Sequence, residues 1–98
     1  MKKNNEYMSL GDAISQFLSK NGLLDEVKIQ QLIQDWESLM GKPVATHTEK
    51  IWFEKGTLYV KISSSIWRQE LSMAHKEIRK IVNESIGKEL VREVKIYG

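Results

Sequence analysis

The hydrophobic period of this chain changes once, and that change bounds what it can fold into. In "KIWFEKGTLYVKIS", from Lys50 to Ser63, Ile51 and Phe53 alternate with Trp52 and Glu54. Leu58, Val60 and Ile62 alternate in the same way with Tyr59 and Lys61. Alternation over two arms, with Lys55-Gly56 between them, specifies a β-hairpin. Its inner face carries Ile51, Phe53, Leu58, Val60 and Ile62. Lys50, Trp52, Tyr59 and Lys61 point outward.

On either side of the hairpin the period is helical. Ser9 is placed to cap a first helix, whose stripe is Leu10, Ala13, Ile14, Phe17 and Leu18, and Asn21-Gly22 stops it. A second helix is predicted to start at an Asp25 cap, with Leu24 and Ile29 as a hydrophobic staple. Its buried face is Ile29, Leu32, Ile33, Trp36, Leu39 and Met40. Gly41 ends it, and Pro43 is expected to keep it from resuming. After the hairpin, one long helix is predicted from a cap in the Ser63–Ser65 run to Gly87. A last strand lies in "LVREVKIYG", with Leu90, Val94 and Ile96 on one face. The order is helix, helix, strand, strand, helix, strand. This implies an α+β domain over residues 9–98, preceded by a mobile segment, residues 1–8. A three-stranded sheet with helices over one face buries these stripes. The place of the last strand in the sheet is open at this stage.

Composition removes whole classes of function. The 98 residues suffice for one domain, and with no cysteine there is no disulfide, zinc ribbon or thiol catalysis. No apolar run is long enough for a membrane span, and "MKKNNEYMSL" has no secretory core, so a cytoplasmic protein is expected. His47 and His75 lack ligand-spaced neighbours, and "GKP" lacks the rest of a phosphate loop. No metal, cofactor or small-molecule substrate is expected, and the chain reads as non-enzymatic.

The net charge of +2 is small, so any electrostatic function depends on distribution. On the wheel of the long helix, Trp67, Leu71, Ala74, Ile78, Ile81 and Val82 form the apolar stripe. Glu70, Glu77 and Glu84 flank one side. Arg68, His75, Lys76 and Arg79 flank the other. Arg68, Lys76 and Arg79 have no acidic residue three or four positions away, so their charge is either solvated or available to an outside partner. With Lys61 as support, they are the candidate nucleic-acid contacts. The outer sheet face offers Trp52 and Tyr59 among Lys50, Lys61 and Lys95, with Tyr97 beside them. Two readings stand there: a surface for unpaired bases or a protein partner, or cover for the first helix.

Trp36 before "MG", then "VATHTEKIWFEKGTLYVKISSSIWRQEL", a helix and a short strand together resemble the DciA family. Trp36, Gly41, His47, Gly56, Leu58, Val60, Trp67 and Leu71 carry the match. The resemblance implies a K-homology-like fold and a replication role in which the protein binds DNA and the DnaB-type replicative helicase and assists its loading. No Gly-x-x-Gly loop of the kind K-homology domains use is present, and no basic extension like that of some family members follows Tyr97. DNA contact is therefore expected on another surface of the domain. The alternatives are a protein–protein adaptor that does not touch nucleic acid, and an RNA-binding K-homology-like module.

Overall fold

A computed structural model describes residues 9–98, and the segment expected to be mobile, residues 1–8, lies outside the described residues. The elements are α1 (Leu10–Lys20), α2 (Leu24–Gln34), α3 (Trp36–Met40), α4 (Lys42–Thr46), β1 (Thr48–Glu54) and β2 (Thr57–Ile62), then α5 (Ser65–Met73), α6 (His75–Ile86) and β3 (Glu93–Tyr97). The α+β class and the order of elements agree with the sequence reading. Two of the three expected helices are divided and α4 is additional, which raises the helix number to six.

The sheet order is β1-β2-β3. β1 and β2 form the antiparallel hairpin, with Trp52 opposite Tyr59 and Phe53 opposite Leu58. Its two-residue turn places both Lys55 (φ 50°) and Gly56 (φ 82°) in the left-handed region, the geometry that matches the strand twist. β3 runs parallel to β2, with Leu58 opposite Val94 and Lys61 opposite Tyr97. Parallel neighbours need a long crossover, and α5 and α6 supply it. Leu58, Val60 and Ile62 are fully enclosed between sheet and helices.

Four expectations need correction. Asp25 does not cap α2: Leu23 occupies that position without a side-chain bond, so the proposed staple register does not apply. Asp25 instead pairs with Lys88 at 2.8 Å. Pro43 does not block a helix but lies in the first turn of α4, where a missing N–H costs nothing. The long helix breaks at Ala74 (φ −99°, ψ 17°), so no single wheel describes its surface. Leu71, Ile78, Val82 and Ile86 are buried, whereas Ile81 is 37% exposed and lies outside the core. Finally, α1 buries none of its residues: Leu10, Ile14 and Phe17 stand 78%, 50% and 62% exposed.

Polar bonds tie the elements together. Trp36 Nε1 donates to Thr48 Oγ1 (3.0 Å), which donates to the Val44 carbonyl (2.7 Å), joining α3, α4 and β1. The His47 carbonyl accepts from the Ser63 N–H at 2.8 Å, while its ring lies 6.5 Å from Trp67. Asn83, 3% exposed, donates to the Val91 carbonyl (2.8 Å) and accepts from the Val91 N–H (2.9 Å). That pair fixes the approach to β3.

Candidate nucleic-acid interface

The break at Ala74 gives α6 its own start, with no side-chain cap, at His75. Lys76 follows, and Arg79 stands one turn on. The turn of the hairpin reaches the same end of the fold, because Gly56 accepts from both Arg92 N–H (2.8 Å) and Glu93 N–H (3.2 Å). Arg92 therefore lies across the turn. A Cβ on Gly56 would fall 2.7 Å from Arg92 Nε, so the guanidinium occupies the space the glycine leaves. Arg79 Nη1 reaches the Arg92 carbonyl at 3.4 Å and joins α6 to this corner.

The result is a notch of about 150 Å³ lined by His75, Lys76, Arg79, Arg92, Glu93 and Val94. Three permanent cations meet one carboxylate there. Among the described residues, the salt bridges are Lys61–Glu49 and Lys88–Asp25, so none of the three cations is neutralised by an ion pair. The surface is exposed and positive, with guanidinium forks suited to phosphate oxygens.

Lys76 and Arg79 thus come together, but Arg68 does not join them. Its Nη1 donates to the Ile62 carbonyl at 2.8 Å, and its guanidinium lies against Gly98. It closes the C-terminal ends of β2 and β3, while the notch sits at their N-terminal ends, roughly 17 Å away along the strand. Lys61 is on the outer sheet face, bound to Glu49 at 3.6 Å and in register with Lys50 and Tyr97. Arg92 was not singled out from the sequence, where it reads as one residue of a strand. The parallel β2–β3 pairing brings it to the hairpin turn, and no local signal encodes that pairing.

On the outer sheet face Trp52 and Tyr59 stack at 5.1 Å and 14°, and Tyr97 meets Trp52 edge-on at 5.4 Å and 77°. Lys50 Nζ lies 4.8 Å from the Trp52 ring centre. Trp52 and Tyr59 thus each have a ring face taken by the other, and Lys50 lies over the Trp52 ring as well. Bases need open faces, so this arrangement fits a protein contact better than base stacking. No described helix covers the face; α1 packs beside α2.

Among the described residues no group of three or more His, Asp or Glu side chains could hold a metal ion. No described helix is long and apolar enough to cross a membrane.

Comparison with known proteins agrees with the pattern. The family described as "Dna[CI] antecedent, DciA" matches residues 9–96. Similar proteins include a UPF0232 protein of Corynebacterium glutamicum, 24% identical over 92% of this chain and 51% of its own length. A UPF0232 protein of Mycobacterium tuberculosis is 25% identical over 91% of this chain and 48% of its own. One of Streptomyces coelicolor is 26% identical over 93% of this chain and 49% of its own. The chain therefore spans about half the length of these relatives. No solved structure matches it. With its family pattern matched from Ser9 to Ile96, the chain belongs to the DciA family.

Proposed function

We propose that this chain is a non-enzymatic DNA-replication accessory protein that binds DNA and the DnaB-type replicative helicase and assists its loading. Family membership supports the replication role. The observation that carries the DNA contact is the convergence of Lys76, Arg79 and Arg92 on one notch with no ion-paired carboxylate among the described residues. Contacts to phosphate from such a cluster are independent of base sequence and weaken steeply with salt. Arg68 and Lys61, both engaged within the fold, are secondary in this reading. The helicase would meet a different surface, and the Trp52–Tyr59–Tyr97 cluster is the candidate because clustered aromatic residues anchor protein interfaces.

Fluorescence anisotropy with labelled single-stranded and duplex DNA at several salt concentrations tests the notch. Replacing Lys76, Arg79 and Arg92 together by glutamine removes three cations. The slope of log affinity against log salt is expected to shrink by roughly 2–3 units. Arg68→Gln is expected to leave that slope nearly unchanged while lowering stability. An unaltered slope in the triple variant rejects the notch. Co-sedimentation with purified helicase, with and without Trp52→Ala, tests the second contact. A helicase complex without any DNA affinity favours the adaptor reading.

A further inference from the structure

β1 is an edge strand, and among the described residues nothing pairs with its free side. Edges of this kind are usually guarded by charge or proline in mid-strand. Here the middle is Ile51-Trp52-Phe53, all half-buried, and the charges stand outside it. Beside the strand lies an open groove of about 490 Å³, whose apolar walls include Ile29 and Ile33 of α2 and Ile51 and Phe53 of β1.

The sequence of the edge is complementary to its own reverse. It reads Glu49-Lys50-Ile51-Trp52-Phe53-Glu54-Lys55. A second copy laid antiparallel about Trp52 sets Lys50 opposite Glu54 and Ile51 opposite Phe53, all within the regular part of β1. Lys50 and Glu54 then each meet an opposite charge, and every apolar residue of the stretch meets another on the same sheet face. Within one protomer the same charges are poorly matched. Lys50 stands opposite Lys61, a like-charge pair, and Glu54 stands opposite Thr57. Glu49 relieves Lys61 alone.

From the free edge, the groove and this inverted charge order, we propose that β1 pairs with β1 of a second copy across a two-fold axis at Trp52, giving a continuous six-stranded sheet. The isologous geometry follows from the self-complementary register. Ile51 and Phe53 of each copy extend the apolar layer under the other's α2, and the grooves meet at the axis. The interface is a strand pair over Lys50–Glu54 with its flanking groove, small by the standards of permanent dimers, so association is reversible and concentration-dependent.

Sedimentation equilibrium of the full chain, over micromolar to millimolar concentration, provides the test. Lys50→Glu and Glu54→Lys each turn two symmetric attractive pairs into repulsive ones. Each is expected to weaken the dimer roughly tenfold, and the double variant to recover to within about threefold. The chain has no cysteine, so Trp52→Cys introduces the only thiol. At the two-fold axis it is expected to give a disulfide-linked dimer under mild oxidation, whereas Tyr59→Cys, one strand inward, does not. Circular dichroism confirms that each variant is folded. A strictly monomeric chain overturns the proposal, as does a dimer that ignores both charge reversals. A double variant that fails to recover overturns the register. None of the substituted positions lines the basic notch, so the outcome is independent of the DNA reading.

Discussion

Asn83 carries more of the fold than its polarity suggests. It is the buried polar residue among the described positions, and its amide satisfies both backbone groups of Val91. Asn83→Ala leaves a buried donor and a buried acceptor without partners, and is expected to cost about 3 kcal/mol in urea unfolding. A loss below about 1 kcal/mol would mean that water replaces the amide. Gly56 is a second such position. Gly56→Ala introduces a side chain at φ 82° and a Cβ against the Arg92 guanidinium. The strain is expected to lower stability by roughly 1–2 kcal/mol. Because a flexible side chain can swing away, the same change should also reduce DNA affinity by displacing Arg92, which anisotropy would detect. Neither role is legible in the sequence. The partner of each residue is set by tertiary pairing. Arg68 shows the converse. Helical spacing found it unpaired, but the acceptor it uses is a strand carbonyl, and charge spacing cannot see carbonyls.

At the scale of elements, periodicity located the hairpin and its inner face because alternation depends only on which side of a sheet is dry. The same reasoning failed at helix breaks. A helical stripe continues across a kink if both halves pack on one core, so Leu71, Ile78 and Val82 concealed the interruption at Ala74. Pro43 was misread for a related reason: proline stops one helix and starts another with equal ease, and the preceding Gly41 (φ 93°) decides which. The largest difference concerns α1. Its amphipathic pattern forms a helix, but the stripe meets no core, and an isolated helix of eleven residues is only marginally stable. Amides of residues 14–20 are therefore expected to exchange with deuterium far faster than those of β2, by several orders of magnitude. Protection of α1 at the level of the core, in dilute protein, would show that its apolar stripe is covered.

Across the whole molecule, one apolar cluster runs from Ile29 and Trp36 through Leu58, Val60 and Ile62 to Val82, Val91 and Val94. It joins α2, α3, α4, β2, α5, α6 and β3, so these elements have no separate core on which to survive alone. Small domains with one core unfold in a single step. Trp36 is 4% exposed within the cluster, Trp67 packs against it, and Trp52 stands on the far side of the sheet. The three tryptophans thus sample both sheet faces and the helical layer. In urea, single-tryptophan variants retaining Trp36, Trp52 or Trp67 are each expected to show one transition, with slopes agreeing within error and midpoints ordered only by the stability each variant retains. Each midpoint should coincide with that variant's loss of β-sheet signal in circular dichroism. Fluorescence that changes well before the sheet signal in the Trp52 variant would separate the outer aromatic cluster from the core. The same single transition, followed at rising protein concentration, should move to higher urea as β1 edges pair, because association of the native state adds to its stability.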